Sequence, residues 1–176
     1  TPSDHTIIKV KVFQKVILQG LNFLENNSDY LVTMGIKPDR PEIGYGYIKI
    51  GKKIPKTHLS IVDQYVEKPD QKTAEKYLKS DKYLWNGGYY FFNAAEIFKM
   101  YESYAPKMYE VFKKILRDLD TSKENQTLKN EYVKLDKKPI DIVLSEKVKK
   151  IAVIPADIGW SDIGSWAALY DLLSKN

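Results

Sequence analysis

The chain contains no cysteine. That rules out disulfides and thiolate metal sites, and it fits a cytosolic protein. Arginine is nearly missing too: of 28 Lys+Arg, only Arg40 and Arg117 are arginines. Proteins that read nucleic acid cluster Arg and Lys on one face. Here the lysines are spread along the chain and mixed with 23 acids, for a net charge of +5. The pattern describes a solvated surface with a mild bias toward anionic small molecules, and no nucleic-acid partner is expected. No apolar run approaches membrane-spanning length and no signal peptide is visible, so no membrane partner is expected. Histidine is limited to His5 and His58, and neither is paired in a pattern with a serine or cysteine nucleophile. No glycine-rich loop of the kind that cradles a nucleotide phosphate occurs anywhere in residues 1–176.

What is present suffices for a folded enzyme-sized unit. The 176 residues fit one domain, or most of a larger one, and a hydrophobic share of 43% supports a substantial core. Aromatics make up 12%, with 13 tyrosines. Such a surplus suits a polar, aromatic-lined site, and also ordinary half-buried packing.

Hydrophobic spacing organises the chain. Residues 12–24 place Val12, Phe13, Val16, Ile17, Leu21 and Leu24 on one helical face. Tyr30 to Met34 reads as a buried strand, Tyr47 to Ile50 as an alternating one, and Ile61 to Val66 as a third. Asp70 is placed to cap a helix carrying Ala74, Tyr77 and Leu78. Tyr89 to Phe92 is a short apolar strand, and Asn93 with Glu96 forms a capping-box variant before a helix through Tyr101. A second helical face follows Pro106. Residues 117–138 show no clear period and read as an exposed connection. Pro139 suits the first turn of a helix bearing Ile140, Val143, Leu144 and Val148, and Ile151 to Ile154 is a strand. Ser165 is placed to cap a last helix with Trp166, Leu169, Tyr170 and Leu173 inward. Strands alternating with helices predict an α/β fold with part of the sheet parallel.

Five short motifs stand out: Pro2-Ser3-Asp4-His5, Gly44-Tyr45-Gly46-Tyr47-Ile48, Val66-Glu67-Lys68-Pro69, Trp85-Asn86-Gly87-Gly88 and Trp160-Ser161-Asp162-Ile163-Gly164-Ser165-Trp166. Taken singly, each has a plain reading. Asp4 and Asp162 read as helix caps, Lys68 as a surface lysine paired with Glu67, Gly46 as part of a turn, and Asn86 as a loop fastener. A carboxylate at Asp141 would favour a first helical turn with no ligand.

Together and in this order, the motifs resemble the sugar-1-phosphate nucleotidylyltransferase family, and within it the guanylyltransferases acting on mannose 1-phosphate. The resemblance covers Pro2 to about Leu173. It implies a Rossmann-like mixed sheet, GTP and mannose 1-phosphate as substrates, and Mg²⁺ held by Asp4 and Asp162. It further implies that Lys68 contacts the sugar phosphate, that Glu67 accepts from sugar hydroxyls, and that Gly46, Asn86 and Gly88 line the sugar pocket. In the family's W-N-S-G segment, Gly87 here replaces Ser and a hydroxyl is lost. It also implies that Asp141 is a sugar-site residue, since Asp141 and Glu146 match a further segment close to S-I-D-Y-A-V-M-E-K, from which Pro139, Ile142 and Ser145 depart.

The resemblance also implies a glycine-rich loop of the type G-G-x-G-T-R-L ahead of Pro2. The expectation is therefore a chain lacking its nucleotide-binding half, inactive by itself, with central strands short of a neighbour and apolar surface exposed. A homo-oligomer stays open. So do transfer to another sugar 1-phosphate and a non-catalytic, sugar-nucleotide-binding regulatory role.

Overall fold

In the computed structural model, residues 1–164, 166, 169 and 170 are described. The chain divides into two compact units: residues 1–92 with 150–176, and residues 93–149.

The first unit is built on five strands: β2 (Leu31–Ile36), β3 (Tyr47–Lys53), β4 (Ser60–Val66), β5 (Tyr83–Phe91) and β6 (Ile151–Ala156). Their order is β2-β5-β3-β4-β6, and β6 returns to pair with β2, closing the sheet on itself. Only β2 and β6 run parallel; all other neighbours are antiparallel. Each of these five strands thus has a partner on both sides, so among the described residues the expected central strands short of a neighbour are not found. Closure removes the open edges.

Residues 31–36 are buried throughout, as expected of a strand covered on both faces. Helix α1 (Val10–Asn26) lies beside this core and buries Val16, Gly20, Phe23 and Leu24. The buried stripe is displaced from the expected one: Val12 is 41% exposed and Leu21 48% exposed. Asp70 caps α2 (Gln71–Lys79) as expected, its carboxylate accepting from the Thr73 N–H at 2.7 Å.

A separate two-stranded ribbon joins the ends of this unit. β1 (Thr6–Ile7) pairs antiparallel with β7 (Trp160–Ser161), Thr6 opposite Ser161 and Ile7 opposite Trp160. Of the expected last helix, Ser165 and Leu173 lie outside the described residues. Trp166 and Tyr170 are 86% and 73% exposed, not inward.

The second unit is helical: α3 (Ala94–Tyr104), α4 (Pro106–Asp118), α5 (Glu124–Tyr132) and a π-helical turn over Asp141–Ser145. Asn93 caps α3 through the N–H groups of Ala95 and Glu96. Pro106 opens α4 at a position where its missing N–H costs nothing. The stretch expected to be an exposed connection contains α5 and a buried carboxylate. Asp118 accepts from Thr127 Oγ1 at 2.6 Å and from Arg117 Nε at 3.0 Å. Local polar bonds, which carry no hydrophobic period, hold this helix pair. The expected helix after Pro139 is a single π turn that buries Val143, Leu144 and Ser145.

Candidate active site

The start of β3, the end of β4 and an inner stretch of β5 lie side by side in the first unit. Tyr47 pairs with Val66 on one side and with Trp85 on the other. The residues one step further along are Gly46, Glu67 and Asn86. The row is real at the backbone: the Asn86 N–H donates to the Gly46 carbonyl at 2.8 Å. On its other flank Asn86 pairs with Gly35 of β2. Residues separated by up to 40 positions in sequence are thereby brought into one line by the antiparallel ladders.

Gly46 is glycine for a steric reason. A Cβ there would sit 2.6 Å from the Tyr65 hydroxyl and 2.7 Å from Glu67 Oε2. Its absence leaves room for those two side chains, which hydrogen-bond to each other at 3.3 Å, Tyr65 donating. Asn86, expected to fasten a loop, instead lies within a strand with its side chain in a polar chain. Its Oδ1 accepts from Thr33 Oγ1 at 2.7 Å, and its Nδ2 donates to the hydroxyls of Tyr65 at 2.8 Å and Tyr90 at 3.2 Å. Gly88, at φ 75°, adopts a left-handed conformation and donates its N–H to Asn86 Oδ1 at 3.3 Å.

Lys68 follows Glu67 with φ 47°. Its side chain is 62% exposed, and its Nζ lies 3.4 Å from Glu67 Oε1. A non-glycine residue in the left-handed region costs roughly 1–3 kcal/mol, and such strain gathers at functional sites. The same holds more strongly for Ile163, a β-branched residue at φ 48° directly after Asp162.

The β1–β7 ribbon brings the acidic motifs together. Continuing the Thr6–Ser161 register by one residue sets His5 against Asp162, with Asp4 next in line. Asp162 directly follows β7, whereas Asp4 precedes β1. Charge effects agree with this placement: Asp4 and Asp162 both act on His5, although burial outweighs them and holds its pKa below the ordinary value. The Trp160 indole N–H donates to His5 Nδ1 at 2.9 Å. An indole only donates, so Nδ1 is unprotonated and the neutral ring carries its proton on Nε2.

Tyr45 ties ribbon to sheet. Its hydroxyl donates to Asp162 Oδ1 at 2.5 Å, and the Gly164 N–H reaches the same oxygen at 3.2 Å. Burial, then the bond to Asp162, raises the Tyr45 pKa well above that of a free phenol. The ring packs edge-on against Trp85 and Trp160, at 5.1 and 5.3 Å between centroids. The Arg40 guanidinium lies 5.1 Å from the Trp85 ring centre. Residues Tyr45, Tyr65 and Thr33 were not singled out by the sequence motifs, although the first lies inside one. No spacing rule signals a hydroxyl that reaches a partner 117 positions away.

Asp4, Gly46, Glu67, Lys68, Asn86, Gly88 and Asp162 all belong to the first unit. Asp141 begins the π turn of the second unit. Among the described residues, no group of three or more His, Cys, Asp or Glu forms a potential metal cluster. No helix among them is long and apolar enough to cross a membrane.

Comparison with known proteins bears on the fold and the family. A mannose-1-phosphate guanylyltransferase from Escherichia coli is 35% identical over 99% of this chain and 38% of its own length. The xanthan biosynthesis protein XanB of Xanthomonas campestris pv. campestris (strain B100) is 36% identical over 99% of this chain and 37% of its own length. The chain thus spans under two-fifths of either relative. A solved structure described as a mannose-1-phosphate geranyltransferase from Thermus thermophilus superposes with a TM-score of 0.86 at 28% identity, covering 99% of this chain and 49% of that one. The mixed α/β fold is therefore that of a nucleotidyltransferase, and the Nucleotidyl transferase family profile matches residues 2–176, which makes the chain a member of that family.

Proposed function

We propose that the chain is the sugar-phosphate and metal-binding part of an enzyme that transfers GMP from GTP to mannose 1-phosphate. A phosphate oxygen of the sugar phosphate attacks the α-phosphorus of GTP. The new P–O bond forms as the bond to the β-phosphate bridging oxygen breaks, and pyrophosphate departs. Both reactants are anions, so bringing them together and neutralising them is the main catalytic demand. The observation that carries the reading is the gathering of five dispersed motifs into one unit, with Glu67, Gly46 and Asn86 in line and Asp162 clamped beside them.

Asp4 and Asp162 suit Mg²⁺. They are hard oxygen donors, and two protein carboxylates are what this ion accepts when water and phosphate supply the rest. Mg²⁺ would there neutralise phosphate charge and lower the barrier to displacement. Tyr45 and Gly164 fix the Asp162 carboxylate in orientation. Lys68 supplies a point charge for the sugar phosphate. Glu67 accepts hydrogen bonds from sugar hydroxyls, while Gly46 and Gly88 let backbone approach the ring. Soluble substrates and the absence of cysteine agree with a cytoplasmic setting.

Pyrophosphate release from the intact natural protein tests the reading. GTP with mannose 1-phosphate and Mg²⁺ is expected to give the highest kcat/KM among a panel of nucleoside triphosphates and hexose 1-phosphates. A higher value for a thymidine or uridine nucleotide with glucose 1-phosphate would overturn the substrate assignment.

A further inference from the structure

We infer that Tyr65, backed by Thr33 through Asn86, is a positioning residue that sets Glu67 for hydroxyl recognition; this rests on the sugar-binding reading above. The direction of every bond in the chain is fixed. Thr33 is fully buried, and its hydroxyl donates to Asn86 Oδ1 at 2.7 Å. The Gly88 N–H donates to that oxygen as well, at 3.3 Å. With its oxygen facing two donors, the Asn86 amide has one orientation, and its NH₂ must point toward Tyr65, 2.8 Å away. The Tyr65 oxygen therefore accepts from Asn86, and its own proton is directed to Glu67 Oε2 at 3.3 Å. Donors all run one way, from a buried threonine to a carboxylate, and each polarises the next.

The arrangement gives the two Glu67 oxygens different neighbours. Oε2 is held by Tyr65, and Oε1 faces the Lys68 ammonium at 3.4 Å. A freely rotating carboxylate would read hydroxyl positions poorly. One pinned at Oε2 reads them from a defined direction. Burial of the tyrosine ring and the missing Cβ at Gly46, 2.6 Å from the Tyr65 hydroxyl, hold the phenol in place.

Tyr65→Phe keeps the ring and removes only the hydroxyl. In the intact natural protein it is expected to raise the KM for mannose 1-phosphate about tenfold, as loss of a hydrogen bond to a charged group does. The KM for GTP and the thermal midpoint should change little. Glu67→Gln should cost less in the Tyr65→Phe background than in the natural one. Discrimination against monodeoxy analogues of mannose 1-phosphate should narrow in the same variant. A Tyr65→Phe protein with unchanged KM and unchanged discrimination overturns the inference while leaving the functional reading intact. Equal rises in both KM values with a lowered midpoint would assign Tyr65 to the core alone and overturn it too. If the natural protein neither turns over nor binds any hexose 1-phosphate, the functional reading falls, and this inference falls with it.

Discussion

The Tyr45 hydroxyl donates to Asp162 Oδ1 at 2.5 Å, across 117 positions of sequence. The phenol sits between the rings of Trp85 and Trp160, so its place is set by packing and not by the carboxylate. An outer residue held this way orients a ligand at no cost during binding. Such partners are typically worth about 10–100-fold in metal affinity. Tyr45→Phe is therefore expected to weaken Mn²⁺ binding, followed by electron paramagnetic resonance, by roughly tenfold or more. Unaltered Mn²⁺ affinity would remove Tyr45 from the site.

Asp162→Asn preserves shape and takes away the charge. Turnover of the intact natural protein should fall on the order of a thousandfold, several kcal/mol of transition-state stabilisation. Circular dichroism should be unchanged. Near-normal turnover with both Asp4 and Asp162 changed to asparagine would refute the metal assignment.

Gly46→Ala would place a methyl 2.6 Å from the Tyr65 hydroxyl and 2.7 Å from Glu67 Oε2. Both are ends of side chains, so the fold survives and the two groups move aside. The KM for mannose 1-phosphate should rise about tenfold, the equivalent of one misplaced charged hydrogen bond. Isothermal titration with the sugar phosphate provides a second reading of the same loss.

Lys68→Ala removes a point charge from a strained backbone position. The expected result is a larger rise in KM for the sugar phosphate than for GTP. Equal effects on both would reassign the residue to folding.

Asp118 makes the second unit acid-sensitive. Its hydrogen bond to Arg117, then that to Thr127, lowers its pKa from 3.8 to about 2. The folded state thus holds its proton less tightly than the unfolded chain does. The stabilisation is fully present above about pH 4. It fades as pH falls through about 2. Far-ultraviolet circular dichroism during acid titration should show helix loss in that window, and Asp118→Asn should flatten the response.

Short-range signals in the sequence survive folding almost unchanged. Asp70 and Asn93 cap the helices they precede, and Pro106 opens the next, because a cap depends only on residues within one turn. Strands at 31–36, 47–53 and 60–66 follow from apolar content and alternation. The helix at 124–132 was invisible for the opposite reason. It is tied to the preceding helix by polar pairs, Thr127 with Asp118 and Lys114 with Glu131, and polar pairs leave no period.

The sequence by itself determined the family resemblance, the motif residues and the chemistry proposed for them: carboxylates for a cation, a lysine for a phosphate, glycines where backbone must come close. Tertiary structure alone decided the partners. The antiparallel ladders set Glu67, Gly46 and Asn86 side by side, and the β1–β7 ribbon brought Asp162 to His5 and Tyr45. Thr33, Asn86, Tyr65 and Glu67 became one directed chain only when β2, β5 and β4 came together in one sheet. The physical reason is range. Caps and periodicity act over a few residues, while a hydrogen bond acts over about 3 Å of space between groups whose separation along the chain is arbitrary.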